Sequence, residues 1–310
     1  MIFLSDKRLD EKDIEILVFL NKYRYVKSSD FSYLYSSKIY YKKVLKFLES
    51  NKYIKKDGWY YVVGSNGIKK LKELGYKYYR RQSNKAFTER QKIISHFAAR
   101  YYNNSNIKFL PSVDVKDKEV LTITARRYIG VLKINQKEYL TYYISSKHTQ
   151  GYIRTLIYDI RKERIHKEFI VFVEDIGKIN MNDFVFGKDK IYIIPKIEEN
   201  IHIIENINKI NNPELFKRMY KDKVYLSGHT FCEYYINQNH FVYTLPLIDT
   251  EQLSTIKYFL LENKNKQVDI LYSKNIPLLK IGKIEGVNYI PVDYGKYIKE
   301  EFNCYEQKVN

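Results

Sequence analysis

Cysteine is nearly absent: Cys232 and Cys304 are the only two in 310 residues. Two are too few for a disulfide framework or a zinc ligand set, so they read as ordinary thiols in a reducing compartment. Long apolar runs are missing as well, and nothing here is long enough to cross a bilayer. The opening Met1-Ile2-Phe3-Leu4-Ser5-Asp6-Lys7 is charged too early for a secretory signal. A cytoplasmic protein with no membrane partner is expected. No G-x-x-x-x-G-K-S/T loop occurs, so nothing supports use of ATP, and no cofactor is expected. His148, His166, His229 and His240 are scattered, which denies a metal-binding histidine pair to any nucleophilic tyrosine. Asp114, Asp117 and Glu119 precede strand-like segments and Glu174-Asp175 follows one, but this spacing fits no metal signature. No catalytic or metal-ligating residue is assigned.

What is present in excess is positive charge, a net of +18. Residues 1–80 hold eighteen Lys and Arg against nine Asp and Glu. About half the excess therefore sits in about a quarter of the chain. Within residues 38–56 there are seven lysines and one acid, Glu49. A chain rich in Lys, Ile, Asn and Tyr carries many lysines through codon bias alone. That bias does not explain their concentration here, or their interleaving with Tyr40, Tyr41, Trp59 and Tyr60. Such a block favours a polyanion, because each neutralised phosphate releases condensed counterions. The thirty-two tyrosines are expected mostly in cores and on sheet surfaces.

Local patterns place this block. Asp10, supplemented by Asp13, caps a helix through Ile14, Leu17, Val18 and Leu20 that ends near Tyr25. Ser28 or Ser29 caps a short second helix through Phe31, Leu34 and Tyr35. Ser36-Ser37 then breaks it and caps a third. In this third helix Ile39 or Tyr40, Val44, Leu45 and Leu48 face inward, while Lys38, Tyr41, Lys42, Lys43 and Lys46 face outward. Asn51 ends it and Ile54 opens a strand. Asp57-Gly58 is a hairpin turn signal of type I′, since Gly tolerates positive φ. A further helix through Ile68, Leu71 and Leu74 stops at Gly75. Helix, helix, helix, hairpin, helix is the order of a winged helix. Lys42, Lys43, Lys46, Lys55 and Lys56 are then the phosphate contacts. Lys38, Tyr41 and Lys42 are the candidates for base edges, and Tyr40 and Trp59 complete the candidate surface.

The length implies two or three domains. A basic connector, residues 76–84, leads to a helix from Phe87 to Tyr102 whose apolar stripe is Ile93, Ile94, Phe97 and Ala98. His96 beside it reads as a structural histidine. Strands are expected at 120–123, 129–132 and 138–144, a helix at 151–164, a doubly buried strand at 169–173 and a closing strand at 191–195. The C-terminal third repeats this order. A strand at 240–248 precedes a helix capped by Asp249 or Thr250, then strands at 268–272 and 287–292, with residues 196–214 as the connection. The expected fold is α+β and multidomain. A winged helix (1–80) and a connecting helix (81–110) precede an α/β domain (111–210) and a second α/β unit (211–310) that duplicates it.

The winged helix, the connecting helix with Ser95-His96-Phe97-Ala98-Ala99, and the α/β sheet that follows resemble the replication-relaxation family of plasmid and mobile-element proteins, over roughly residues 10–195. That family's α/β domain looks like a restriction-endonuclease fold with an acidic strand. This chain has Tyr142-Tyr143-Ile144-Ser145-Ser146-Lys147 there, without the acids. The resemblance implies a DNA-binding protein of plasmid replication or transfer lacking a working nuclease centre.

The expectation is a sequence-specific binder of double-stranded DNA, serving replication, partition or transcription regulation. Its α/β region would support a homo-oligomer or hold a plasmid-encoded partner. The alternatives are a nuclease or relaxase using the α/β region, and an antitoxin-type repressor.

Overall fold

The computed structural model describes residues 9–35, 39–79, 84–116, 127–163, 168–184, 190–195, 197–206, 219–220, 225–226, 234–276, 284–294 and 296. Among these the chain is α+β, with nine helices and three sheets. It divides into two compact units, residues 1–118 with 129–137 and residues 119–128 with 138–310.

The first unit opens with helix α1 (Glu11–Tyr23), started by a reciprocal cap in which Asp10 accepts from the Asp13 amide and Asp13 accepts from the Asp10 amide. The helix stops at Arg24, whose φ of 68° turns the chain out of the helix. Its buried face is Ile16, Leu17, Phe19, Leu20 and Tyr23. Ile14 and Val18, expected inside, are half-buried, because β3, α4 and α5 together cover a wider and shifted arc. Strand β1 (Val26–Lys27), a 3-10 turn (Ser28–Asp30) and helix α2 (Phe31–Leu34) follow. Neither Ser28 nor Ser29 caps α2. Asp30 stands at the cap position, and its carboxylate is turned to His96 and the Ser29 hydroxyl instead of the helix amides.

Helix α3 (Tyr40–Ser50) ends at Asn51 as expected. The expected cap at Ser36-Ser37, and Lys38 with it, lies outside the described residues. Strands β2 (Ile54–Asp57) and β3 (Tyr60–Val63) form an antiparallel hairpin, and β1 adds to the other side of β3 in the order β1-β3-β2. Asp57 pairs with Tyr60, so the turn residues are Gly58 and Trp59. Only Gly58 has positive φ, at 60°, which is the II′ pattern and not the expected I′. Helix α4 (Ser65–Glu73) begins three residues before the expected Ile68 and ends before Gly75, at φ 80°. Gly67 in its first turn lies against the chain entering β2. A Cβ there would sit 2.1 Å from the Tyr53 carbonyl oxygen. Asn66 adds a side-chain bond to the Asn51 carbonyl, so α4 clamps the turn between α3 and β2.

Helix α5 (Lys85–Arg100) is capped by Asn84 and buries Ile94, Phe97, Ala98 and Ala99. Ile93 is half-buried, so the stripe is offset by one position from the expected one. Strand β4 (Ile107–Pro111), which the periodicity did not indicate, pairs antiparallel with β5 (Gly130–Ile134), and the short α6 (Ser112–Lys116) follows β4. The strand expected at 120–123 lies outside the described residues.

In the second unit, β6 (Lys137–Ile144), β7 (Glu168–Val173) and β8 (Lys190–Pro195) are parallel neighbours, with α7 (Gln150–Lys162) between the first two. The apolar run of β7 is buried on both faces from Phe169 to Val173. Helix α8 (Ile197–Glu205) occupies part of the stretch expected to be a bare connection, because Ile201, Ile203 and Ile204 find a buried place. The five-stranded sheet runs β14-β13-β11-β10-β9, built from β9 (Tyr225–Leu226), β10 (Tyr234–Asn237), β11 (His240–Leu245), β13 (Gln267–Ser273) and β14 (Val287–Val292). The strand expected at 240–248 is split at Pro246. Its continuation, β12 (Ile248–Asp249), leaves this sheet and pairs antiparallel with β8. Asp249 then caps α9 (Thr250–Glu262), accepting from the Glu251 and Gln252 amides.

Candidate functional site

The lysine-rich block becomes one face of α3 and the outer strand of its hairpin. Val44, Leu45, Phe47 and Leu48 are buried, which leaves Lys42, Lys43 and Lys46, spaced three and four apart, exposed on the opposite side. Tyr41 is half-buried at the border between the two faces. Helix α3 packs on β2, where Ile54 points inward and Lys55, Lys56 and Asp57 are exposed. Of the predicted surface, Tyr40, Tyr41, Lys42, Lys43 and Lys46 lie on α3, Lys55 and Lys56 on β2, which α3 contacts, and Trp59 in the turn of the hairpin.

Two of the predicted positions need correction. Ile39 and Tyr40, either of which was to face inward, are 74% and 46% exposed. Ile39 is the cap residue ahead of the first turn, where no described element covers it. Tyr40 keeps an edge contact to Tyr35, with ring centroids 6.3 Å apart.

Charge pairing elsewhere in the unit is mixed: among the described residues Lys69, Lys72 and Lys108 have no carboxylate partner, whereas other lysines do. Lys12 meets Glu15 at 2.8 Å, Lys22 meets Asp114 at 2.6 Å, Lys70 meets Glu73 at 3.2 Å and Lys92 meets Glu89 at 2.8 Å. Among the described residues, Lys42, Lys43, Lys46, Lys55 and Lys56 have no carboxylate partner. Glu49, the single acid of the block, sits near the C-terminal end of α3 and accepts from the Tyr61 hydroxyl at 3.2 Å. Burial raises the Tyr61 pKa, and the neighbouring Glu49 charge raises it further, so the phenol stays protonated as the donor. Five ammonium groups on this face are left to solvent or to an anionic partner.

The scaffold behind the face is polar where sequence reasoning saw only packing. The His96 ring on α5 lies 3.1 Å from the Asp30 carboxylate, the structural role expected of it. Arg100 donates to the Tyr33 hydroxyl at 3.0 Å. Lys92 lies 4.7 Å from the Tyr60 ring and 5.9 Å from that of Tyr25. Burial pulls the Lys92 pKa down, but the hydrogen bond and charge of Glu89 outweigh it and the net direction is up. Asn21 grips the strand-like segment after α4 with both ends of its amide, donating to the Lys77 carbonyl and accepting from the Tyr79 amide. No composition or period marks these contacts. The clamp at Gly67 was legible only as a glycine in an amphipathic stretch.

The acids and histidines weighed for catalysis have structural partners. Asp114 is engaged by Lys22. Glu174 accepts from the Tyr143 hydroxyl and the Ser146 amide, and Asp175 accepts from the Gly177 amide. His148 accepts from the Ser145 amide and stacks on Tyr152 with ring centroids 3.8 Å apart. Burial lowers its pKa. Among the described residues no three His, Cys, Asp or Glu side chains converge to hold a cation. Asp117, Glu119, His166 and His229 lie outside those residues. No described helix is long and apolar enough to cross a membrane. Compared with protein-family models, curated proteins and solved structures, the chain matches none.

Proposed function

We propose that residues 11–73 are a winged helix that binds double-stranded DNA in a sequence-specific way, with α3 in the major groove and the β2–β3 hairpin as the wing on the flanking backbone. The observation that carries this reading is the clustering of charge: five exposed lysines, without carboxylate partners among the described residues, stand on α3 and on β2, the strand it packs against. The order α1, β1, α2, α3, β2, β3, with β1 on the far side of β3, agrees with it. Lys42, Lys43, Lys46, Lys55 and Lys56 position the module on phosphates. Tyr41 and Lys42, near the start of α3, are placed for base edges. The resemblance to replication-relaxation proteins extends the reading to a plasmid or mobile-element factor in replication, partition or transcription control. In that reading the α/β unit associates with a second copy or a plasmid-encoded partner.

The test is the salt dependence of duplex binding. Five phosphate contacts correspond to a slope of log K against log salt of about −4.5. Changing Lys42, Lys43 and Lys46 together to Gln removes three contacts, and the slope should fall in magnitude by about 2.7. All three side chains are exposed, so the unfolding midpoint should not move. Unchanged affinity and slope in the triple variant would reject the assignment.

A further inference from the structure

Trp59 is the only tryptophan in the chain, and it is 79% exposed. Its backbone is held from three directions. Gly58 before it takes the positive φ of the turn, Tyr60 after it pairs with Asp57, and its own carbonyl accepts from the Ser28 amide at 3.1 Å. The strand that follows it is flanked on both edges, by β1 and β2. The aromatic residues next in sequence are packed: Tyr60 lies under the Lys92 ammonium, and Tyr61 meets the Phe31 ring edge-on at 5.6 Å. Among the described residues the Trp59 indole has no ring, cation or hydrogen-bond partner. A fixed turn therefore holds out a large flat apolar group, on a hairpin whose Lys55 and Lys56 also lack carboxylate partners.

We infer that Trp59 is a stacking wedge, and that the preferred ligand of this face is a duplex presenting an unpaired base beside the α3 footprint. The inference rests on the DNA-binding reading above and specifies its ligand. Charge complementarity brings the hairpin onto the phosphate backbone, where Lys55 and Lys56 meet the strand. Bases of an intact duplex have both faces covered by their neighbours, so an indole at the backbone has nothing flat to meet. An unpaired base at a bulge or fork offers an open face, and stacking of a base on an aromatic side chain tolerates any base identity. The rigid turn means that little ordering is left to be done on binding.

The lone tryptophan is its own reporter. Full-length protein is titrated at low salt with a mixed-sequence duplex, and with the same duplex carrying one unpaired base, following both DNA anisotropy and indole emission. The expected result is roughly tenfold or more tighter binding to the interrupted duplex, the size given by one stacked base. Indole emission should be strongly quenched only with that ligand. Trp59→Ala should lose the preference for the interrupted duplex. Trp59→Phe, which keeps a ring but no N–H, should retain most of the preference, separating stacking from a hydrogen bond to phosphate. Equal affinity for the two duplexes, or a preference that survives Trp59→Ala, overturns the wedge and leaves duplex binding standing. Failure to bind either duplex overturns both readings.

Discussion

The two α/β runs of the second unit follow one course and differ in what they bury. In each, a first strand leads to a thirteen-residue helix, then to a second and a third strand, all three parallel. The registers match: Ile144 pairs with Val173 and Val173 with Pro195, while Leu245 pairs with Tyr272 and Tyr272 with Pro291. The two prolines therefore occupy the same place on the third strand. Between α7 and α9 the buried positions also correspond, Ile153 with Leu253, Leu156 with Ile256 and Ile160 with Leu260. Thr155 and Thr255 each return a hydroxyl hydrogen bond to the carbonyl four residues back. Three residues before Val173 and Tyr272, however, stand Ile170 in the first run and Asp269 in the second. Ile170 is 1% exposed and Asp269 4%. The carboxylate is tolerated because it accepts from the Tyr220 hydroxyl at 2.8 Å and the Asn288 amide at 3.2 Å. The His240 Nε2 lies 2.9 Å away but off the line of a hydrogen bond, so it contributes charge only when protonated. One topology accepts a hydrocarbon or an ion at the same point, provided the ion's donors arrive with it.

Exchanging those two residues breaks the comparison most severely. Ile170→Asp puts a carboxylate between Thr141, whose hydroxyl is already given to the Tyr139 carbonyl, and Tyr192, in place of the Tyr220 and Asn288 donors that serve Asp269. A cost of about 4 kcal/mol is expected, a large share of the stability of a domain this size. Asp269→Ile leaves the Tyr220 and Asn288 donors without their acceptor, and should cost about 2 kcal/mol. Urea unfolding of both variants measures the difference. Equal losses would mean that the second run gains nothing from its polar network.

Much of this was readable in the residues, for a physical reason. The apolar runs 169–173 and 268–272 and the capped helices carry their periodicity locally, and the Tyr, Ile and Pro repeated within each third strand hinted at recurrence. Asp269 was hidden inside such a run, because a single acid between Val268 and Ile270 looks like the polar half of an alternating strand. Only the register shows it buried. In the candidate site the lysines were legible from charge density alone, and the exposure of Ile39 was not. An apolar residue at a helix start reads as core until the neighbouring elements are placed. Strand β4 was missed because Lys108 and the terminal Pro111 leave too short an apolar pattern to mark a strand.

A smaller effect separates the runs by pH. Glu174, just past the second strand of the first run, is pushed up by burial, but the hydrogen bonds from Tyr143 and Ser146 prevail and hold its pKa below the ordinary 4.5. A depressed carboxylate stabilises the fold above its unfolded pKa, and this is lost as pH falls through the lower, folded value. Glu174→Gln should therefore cost stability at pH 7, and the gap to the parent should close below pH 4.5. Asp249, at the start of α9, is shifted the other way. Burial raises it above the ordinary 3.8, although the Gln252 and Glu251 amides oppose the rise. Its charge is then a liability above the folded pKa, and acid relieves it. Asp249→Asn keeps an acceptor for the helix cap, and should raise stability at pH 7 by a few tenths of a kcal/mol at about the level expected between equivalent caps. Urea midpoints at pH 7 and pH 4 read both signs. Parallel shifts in the two variants would show that the two carboxylates are electrostatically alike.

The smallest expected effect lies where the two runs agree on their surface. Tyr158 and Tyr258 stand at the same place on α7 and α9 and are 53% and 65% exposed. Nothing in the packing of either helix requires a tyrosine at that position. Tyr158 is covered in part by the Lys162 ammonium, 4.2 Å from its ring, an exposed contact of about 0.5 kcal/mol. Tyr158→Ser should cost about that much, and Tyr258→Ser less than about 0.5 kcal/mol, as for other surface substitutions. Measured by urea unfolding at low protein concentration, such values would place both rings in solvent. A loss of 1 kcal/mol or more at Tyr258 that grows with protein concentration would mean that a second copy covers it, because no described residue of the same chain supplies a contact of that size.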